Sequence, residues 1–133
     1  NVLKTSMVGV FGLLLFSCSN GQNNTEKTAE RQDVNVEEFA NQLDAAQILD
    51  VRTPEEWNAG IIEGATMFNF YENDFETKLK TLDKEKPVAV YCKSGGRSSE
   101  AADKLISLGF KQVYNLRGGM DSWKAAKRPS VNP

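Results

Sequence analysis

One stretch of the chain, Cys92-Lys93-Ser94-Gly95-Gly96-Arg97, combines residue types and spacing that could do chemistry. A thiolate is the nucleophilic form of cysteine, and cations or a helix N-terminus lower a thiol pKa from about 8.5 by roughly one to five units. Lys93 and Arg97 are the adjacent cations, and Gly95 and Gly96 let successive backbone N–H groups converge on an anion. The expected chemistry is attack by the Cys92 sulfur. The loop Lys93, Ser94, Gly95, Gly96 and Arg97 would hold an anionic ligand or a negative charge on sulfur. An isolated cysteine at a strand end is more often a small buried hydrophobe. A cysteine in that role needs no Gly-Gly pair and no two cations between itself and a helix start. The chain has no histidine, and its two cysteines, Cys18 and Cys92, are far apart, so neither an imidazole base nor a zinc-type ligand cluster can be assembled. No metal, nucleotide or flavin site is legible, and no cofactor is expected.

The elements around this loop follow from hydrophobic period. Val88-Ala89-Val90-Tyr91-Cys92 is a continuous apolar run opened by Pro87, as expected of a central strand covered on both faces. After the loop, Ser98 or Ser99 caps a predicted helix through Ala101, Ala102, Leu105, Ile106 and Leu108, closed by Gly109. Upstream, Asn35 with Glu38 makes a capping box before Val36, Phe39, Ala40 and Leu43 at helical spacing. Gln47 to Val51 reads as a strand, and Thr53-Pro54-Glu55-Glu56 as the cap and first turn of another helix that Gly60 stops. Ala65 to Phe70 is a further strand candidate, and Asp74 to Leu82 a helix through Phe75, Leu79 and Leu82. Gln112 to Leu116 reads as a strand, Gly118-Gly119 as a turn, and Met120 to about Lys127 as a last helix. Alternating strands and helices predict an α/β layer fold with a mostly parallel sheet, whose ligands gather at the carboxyl ends of the strands, where Cys92 sits.

The chain divides into residues 1–18, 19–31, 32–128 and 129–133. The first eighteen hold Lys4 and an apolar run from Met7 to Phe16, the length of a signal-peptide core and too short to span a bilayer. The run ends in Leu15-Phe16-Ser17-Cys18, which resembles the bacterial lipoprotein cleavage motif, so Cys18 is the expected lipidation site. Ser19 to about Arg31 is polar and Asn-rich and reads as a flexible tether. Residues 32–128 form the domain and 129–133 a short tail. The expected product is an exported, membrane-anchored lipoprotein, in the bacterial cell envelope or facing the periplasm. A Cys18–Cys92 disulfide is the other use of the two cysteines, and lipidation of Cys18 would leave Cys92 a reactive thiol. The length of 133 residues suits one domain. A formal charge of −2 removes the broad basic footprint of a nucleic-acid binder.

Four ordered segments resemble the signatures of a single-domain rhodanese. They are Asp50-Val51-Arg52-Thr53-Pro54-Glu55-Glu56-Trp57, Gly60-Ile61-Ile62-Glu63-Gly64-Ala65, Val90-Tyr91-Cys92-Lys93-Ser94-Gly95-Gly96-Arg97-Ser98 and Asn115-Leu116-Arg117-Gly118-Gly119-Met120-Asp121-Ser122-Trp123. The resemblance runs from about Val34 to about Lys127. It implies a five-stranded, mostly parallel sheet with helices on both faces. It also implies sulfurtransfer, in which Cys92 takes the outer sulfur of a donor such as thiosulfate or polysulfide and passes it from a persulfide to a thiol or cyanide. The partners so implied are small sulfur-containing anions and a thiol protein or small thiol as acceptor. Many relatives have Gly-His-Ile followed by Pro where this chain has Gly60-Ile61-Ile62-Glu63, a departure expected to alter packing. Asp50 and Arg52 are read as ordering the connection after their strand, and Trp57 and Trp123 as core or rim residues.

Two other functions fit parts of the pattern. Cysteine phosphatases and arsenate reductases also place a thiolate in an anion loop, but their Cys-x5-Arg spacing is one residue wider than Cys92 to Arg97. Asp50, Glu56 and Asp121 are the carboxylates that would have to approach the site as a leaving-group acid. A non-catalytic or redox-sensing binding module would use the same fold, and an oxidant sensor the same acidic thiol.

Overall fold

Val88-Ala89-Val90-Tyr91 presents no charged side chain to either face, and it forms the central strand of the sheet with all four residues buried. The computed structural model describes Gly12 and residues 29–133. Apart from Gly12, the apolar run lies outside the described residues, as do Cys18 and most of the expected tether. Five strands, β1 (Arg31–Val34), β2 (Gln47–Asp50), β3 (Thr66–Met67), β4 (Val88–Tyr91) and β5 (Val113–Leu116), pair in the order β1-β5-β4-β2-β3, every pair parallel. The helices are α1 (Val36–Gln42), α2 (Pro54–Asn58), α3 (Phe75–Leu79), α4 (Gly96–Ser107) and α5 (Gly119–Ala125).

The two-residue period of β4 sorts the core into two layers. Val88, Val90 and Cys92 pack with Leu49, Val51, Phe75, Leu79, Ala101, Ala102, Leu105 and Phe110, under α3 and α4. Ala89 and Tyr91 face the other way, to Phe39, Met120 and Trp123 of α1 and α5, where Phe39 meets Tyr91 and Trp123 edge-on. Each large apolar side chain so buried contributes roughly 1.5–3 kcal/mol. The same alternation puts the Cys92 side chain on the layer covered by α4, the helix that begins four residues later. The chain leaves β2 for β3 on one side and β4 for β5 on the other, so the topological switch point lies between the carboxyl ends of β2 and β4.

Asp50 and Arg52 hold the β2 end of that crevice. Both are buried, at 0% and 3% exposure, and the carboxylate accepts from the Arg52 backbone N–H at 3.0 Å and from Nε and Nη2 at 3.0 and 2.7 Å. Arg52 donates further to the carbonyls of Gly60 at 2.7 Å and Glu56 at 3.2 Å, tying α2 and the turn after it to the sheet, and lies over the Tyr91 ring. The ordering role expected of these two residues is the one they occupy.

Several elements differ from the sequence expectation. Strand β1 begins at Arg31, at the end of the expected tether. Its polar RQDV carries no apolar alternation, and it is held as an edge strand by β5 and by Asn115 Nδ2 donating to Asp33 at 2.9 Å. The candidate strand Ala65 to Phe70 shortens to Thr66–Met67. Beyond it the N–H groups of Phe68 and Phe70 reach the carbonyls of Asp50 and Val51 outside regular register. The helix expected from Asp74 to Leu82 is Phe75–Leu79, with no side-chain cap from Asp74. The tail is tied down, with Val131 bridging Ile61 through hydrogen bonds of 2.8 and 2.9 Å and Trp123 Nε1 donating to the Pro129 carbonyl. Ile61 and Ile62, in the segment that departs from the family pattern, are both buried.

Removing one partner of a buried ion pair leaves the other charge unsolvated, so Arg52→Ala should lose about 3–5 kcal/mol in urea unfolding. A loss below about 1 kcal/mol would show that Asp50 finds other donors.

Candidate active site

Between β4 and α4 the chain turns around the Cys92 sulfur. Gly95 takes φ +108°, a left-handed conformation that disfavours other residues, and serves as the N-cap of α4. Its N–H donates to Cys92 Sγ at 3.0 Å, and the Ser98 hydroxyl lies 3.3 Å from Sγ and 3.2 Å from the Gly95 carbonyl. Helix α4 thus starts at Gly96, earlier than the Ser98 or Ser99 cap expected from sequence. The positive φ of Gly95 lets the turn close before either serine is reached, and Ser98 becomes a buried donor to sulfur.

The carbonyls of the same turn are held from the opposite side. Met120 N–H donates to the Cys92 carbonyl at 2.8 Å and Asp121 N–H to the Lys93 carbonyl at 3.0 Å, both from the first turn of α5. That approach requires glycine at 119, where a Cβ would stand 2.4 Å from the Cys92 carbonyl oxygen and 2.6 Å from that of Lys93. With carbonyls engaged by α5, the N–H groups of the loop are left to face the sulfur.

The electrostatics follow. Burial pushes the Cys92 thiol up, and hydrogen bonds from the Ser98 side chain and from the backbone of Ser98, Gly95 and Ser94 more than offset it, leaving the thiol below its ordinary value. The cations expected to do this are otherwise engaged. Lys93 is 62% exposed and pairs with Asp121 at 3.0 Å, its side chain directed to solvent. Arg97 is bound two-pronged by Glu56, Nη1 to Oε1 at 2.7 Å and Nη2 to Oε2 at 2.9 Å, and its guanidinium lies 5.7 Å from the Tyr71 ring centre. The hydrogen bonds from Arg97 hold the Glu56 carboxyl at about 2, against the opposing effect of burial and with help from Thr53.

The structure therefore brings Cys92, Ser94, Gly95, Gly96 and Arg97 together around one turn, with Lys93 at its outer edge; Cys18 lies outside the described residues. A cleft of about 130 Å³ beside the turn is lined by Arg52, Glu56, Ala59, Lys93, Met120, Asp121 and Lys124. Of the carboxylates named as potential acids, Asp50 is bound to Arg52, Glu56 to Arg97 and Asp121 to Lys93. Sequence reasoning missed the Ser98 hydroxyl, the Gly119 contact and the Glu56–Arg97 pair. Glu56 is visible in sequence as the capping-box acid of α2, a role it keeps toward Thr53, but its partner is 41 residues away. Among the described residues, no group of three or more His, Cys, Asp or Glu could hold a metal ion.

With the Ser98 hydroxyl as a principal donor, Ser98→Ala should move the midpoint of the Cys92 alkylation rate against pH upward, toward an ordinary thiol. At pH values below the wild-type midpoint the variant should react more slowly. An unchanged midpoint would mean that the backbone N–H groups set the acidity without the hydroxyl.

Comparison with known proteins agrees with this geometry. Residues 35–126 match the Rhodanese-like domain family. The chain is 38% identical over 78 residues to a thiosulfate sulfurtransferase GlpE of Coxiella burnetii, covering 59% of this chain and 71% of that protein. It is 35% identical over 111 residues to the chloroplastic Rhodanese-like/PpiC domain-containing protein 12 of Arabidopsis thaliana; the match covers 75% of this chain but spans only 36% of that longer protein. Among solved structures, a rhodanese-related protein of Thermoplasma volcanium superposes with a TM-score of 0.70 at 30% identity, covering 77% of this chain and 99% of the other. The polysulfide-sulfur transferase homodimer of Wolinella succinogenes superposes with a TM-score of 0.66 at 28% identity, covering 81% and 84%. With a matched domain over most of its length, a five-stranded parallel sheet and a cysteine turn at the switch point, the chain belongs to the rhodanese-like family.

Proposed function

We propose that the protein is a sulfurtransferase whose sulfur carrier is Cys92. The observation that carries this reading is the buried thiol at the end of β4, which receives the Gly95 N–H at 3.0 Å and the Ser98 hydroxyl at 3.3 Å. These donors favour a negative charge on sulfur, in the thiolate before transfer and in the persulfide after it. The Cys92 thiolate attacks the outer sulfur of a donor. A new S–S bond forms on Cys92, the donor's S–S bond breaks, and its electron pair leaves with the remainder of the donor, as sulfite when thiosulfate reacts. A thiolate or cyanide acceptor then attacks the outer sulfur of the persulfide, and the electron pair of the second S–S bond returns to Cys92. No oxidant or reductant is consumed.

Thiosulfate and polysulfide are the donor classes that relatives suggest, through the names of the Coxiella and Wolinella proteins. The Cys-x4-Arg spacing and the engagement of Asp50, Glu56 and Asp121 by cations weigh against a phosphatase, which needs an acid for its leaving group. The lipid expected on Cys18 would hold this chemistry at a membrane surface.

Intact mass of the full chain before and after thiosulfate or polysulfide, with Cys92→Ser alongside and cyanide added last, tests the reading. One sulfur gained by the wild type alone, and removed by cyanide, is the expected result. Equal gain by both proteins, or gain by neither from any sulfane-sulfur donor, would overturn it.

A further inference from the structure

The cations of the Cys92 turn are neutralised before any ligand arrives. Glu56 takes both terminal nitrogens of Arg97, and the pair is only partly exposed, at 19% for Arg97 and 24% for Glu56. Lys93 is held by Asp121, and Arg52 is buried against Asp50. Lys124, at the rim of the adjoining cleft, is exposed, and salt screens such a charge. A divalent anion approaching Cys92 thus meets the thiolate while the Arg97 guanidinium is shared with the Glu56 carboxylate and not free to offset the added charge.

A second feature, beside Arg97, is apolar. Tyr71 is 66% exposed, against 37% for Val131, the other exposed large hydrophobic side chain among the described residues. Its backbone is fixed by an N–H bond to Asn69 Oδ1 at 3.0 Å, its ring packs edge-on against Phe70, and Arg97 lies against its face. An exposed ring against Arg97, at the end of the Cys92 turn, offers contact to an organic body and nothing to a small inorganic ion.

Resting on the sulfurtransferase reading, we propose that Glu56 and Tyr71 determine the donor class: Glu56 by occupying Arg97, Tyr71 by offering an apolar contact, together selecting a persulfide of a small organic thiol over the thiosulfate dianion. The step balances without a co-reactant. The Cys92 thiolate attacks the terminal sulfur of R–S–SH, the bond between the two donor sulfurs breaks, the proton stays on the transferred sulfur as Cys92–S–SH, and R–S⁻ leaves with the electron pair. One negative charge enters the step and one leaves it, whereas reaction with thiosulfate gathers three in the same space.

The test is the second-order rate of Cys92 loading, followed by intact mass of the full chain, with thiosulfate and with freshly prepared cysteine persulfide as donors. Wild type should load faster from the persulfide. Glu56→Gln removes the charge while keeping a side chain that can complete the α2 capping box. It should raise the thiosulfate-to-persulfide rate ratio about tenfold, by freeing Arg97, and make thiosulfate loading depend steeply on salt. Tyr71→Ala, at an exposed position, should raise the same ratio about threefold by slowing the persulfide. A ratio unchanged in both variants, or an equal slowing with both donors in Glu56→Gln, would overturn the assignment while leaving the sulfurtransferase reading intact. Failure of every donor to load Cys92 would end both.

Discussion

Opposed hydrogen bonding across one turn of backbone is the constraint on which this site depends. The carbonyls of Cys92 and Lys93 are taken by the N–H groups of Met120 and Asp121 from one side, so the N–H of Gly95 and the Ser98 hydroxyl can serve the sulfur from the other. Neither half stands alone. Without the α5 contact the carbonyls would be free to rotate toward the thiolate, where their partial charge would raise the pKa that the N–H groups lower. Gly119 is therefore as much a part of the site as the loop glycines, since a methyl group there would stand inside contact distance of both carbonyl oxygens.

The sheet supplies the fixed points for that turn. Period-two alternation along β4 directs Cys92 to the α4 layer, and parallel pairing with β2 brings the Arg52 segment and the Cys92 turn to the same end of the molecule. The buried Asp50–Arg52 pair holds α2 at that end through the carbonyls of Glu56 and Gly60. Helix α2 in turn presents Glu56 to Arg97, and the tail bridge from Val131 to Ile61 closes the segment that follows. The electrostatic character of the loop is thus decided partly by residues one strand away, and fixed backbone donors favour charge on sulfur without needing a mobile cation.

Much of this was legible from residue types alone because it rests on local rules. The unbroken apolar run of β4, the Thr53-Pro54 helix start and the glycines after Cys92 each carry a short-range cause, and the rhodanese resemblance ordered them into one parallel sheet. What escaped was long-range. Nothing in Arg31–Val34 marks a strand, because its partner β5 supplies the reason for it. Lys93 and Arg97 look alike as cations beside a thiol, yet one points outward to Asp121 and the other is bound by Glu56, outcomes fixed by α5 and α2. Ser98 read as a helix cap because serine commonly is one, and it became a sulfur ligand when the left-handed Gly95 started the helix sooner.

The most direct measurement is the pH titration of the Gly95 amide proton by NMR in the full chain, compared with Cys92→Ser. Hydrogen bonding to a forming thiolate should move the Gly95 resonance downfield, with a midpoint below that of an ordinary thiol, and the movement should vanish in the variant. A Gly95 resonance indifferent to pH in the wild type, or one that titrates only at an ordinary thiol value, would contradict the claim that the backbone of this turn sets the charge on Cys92.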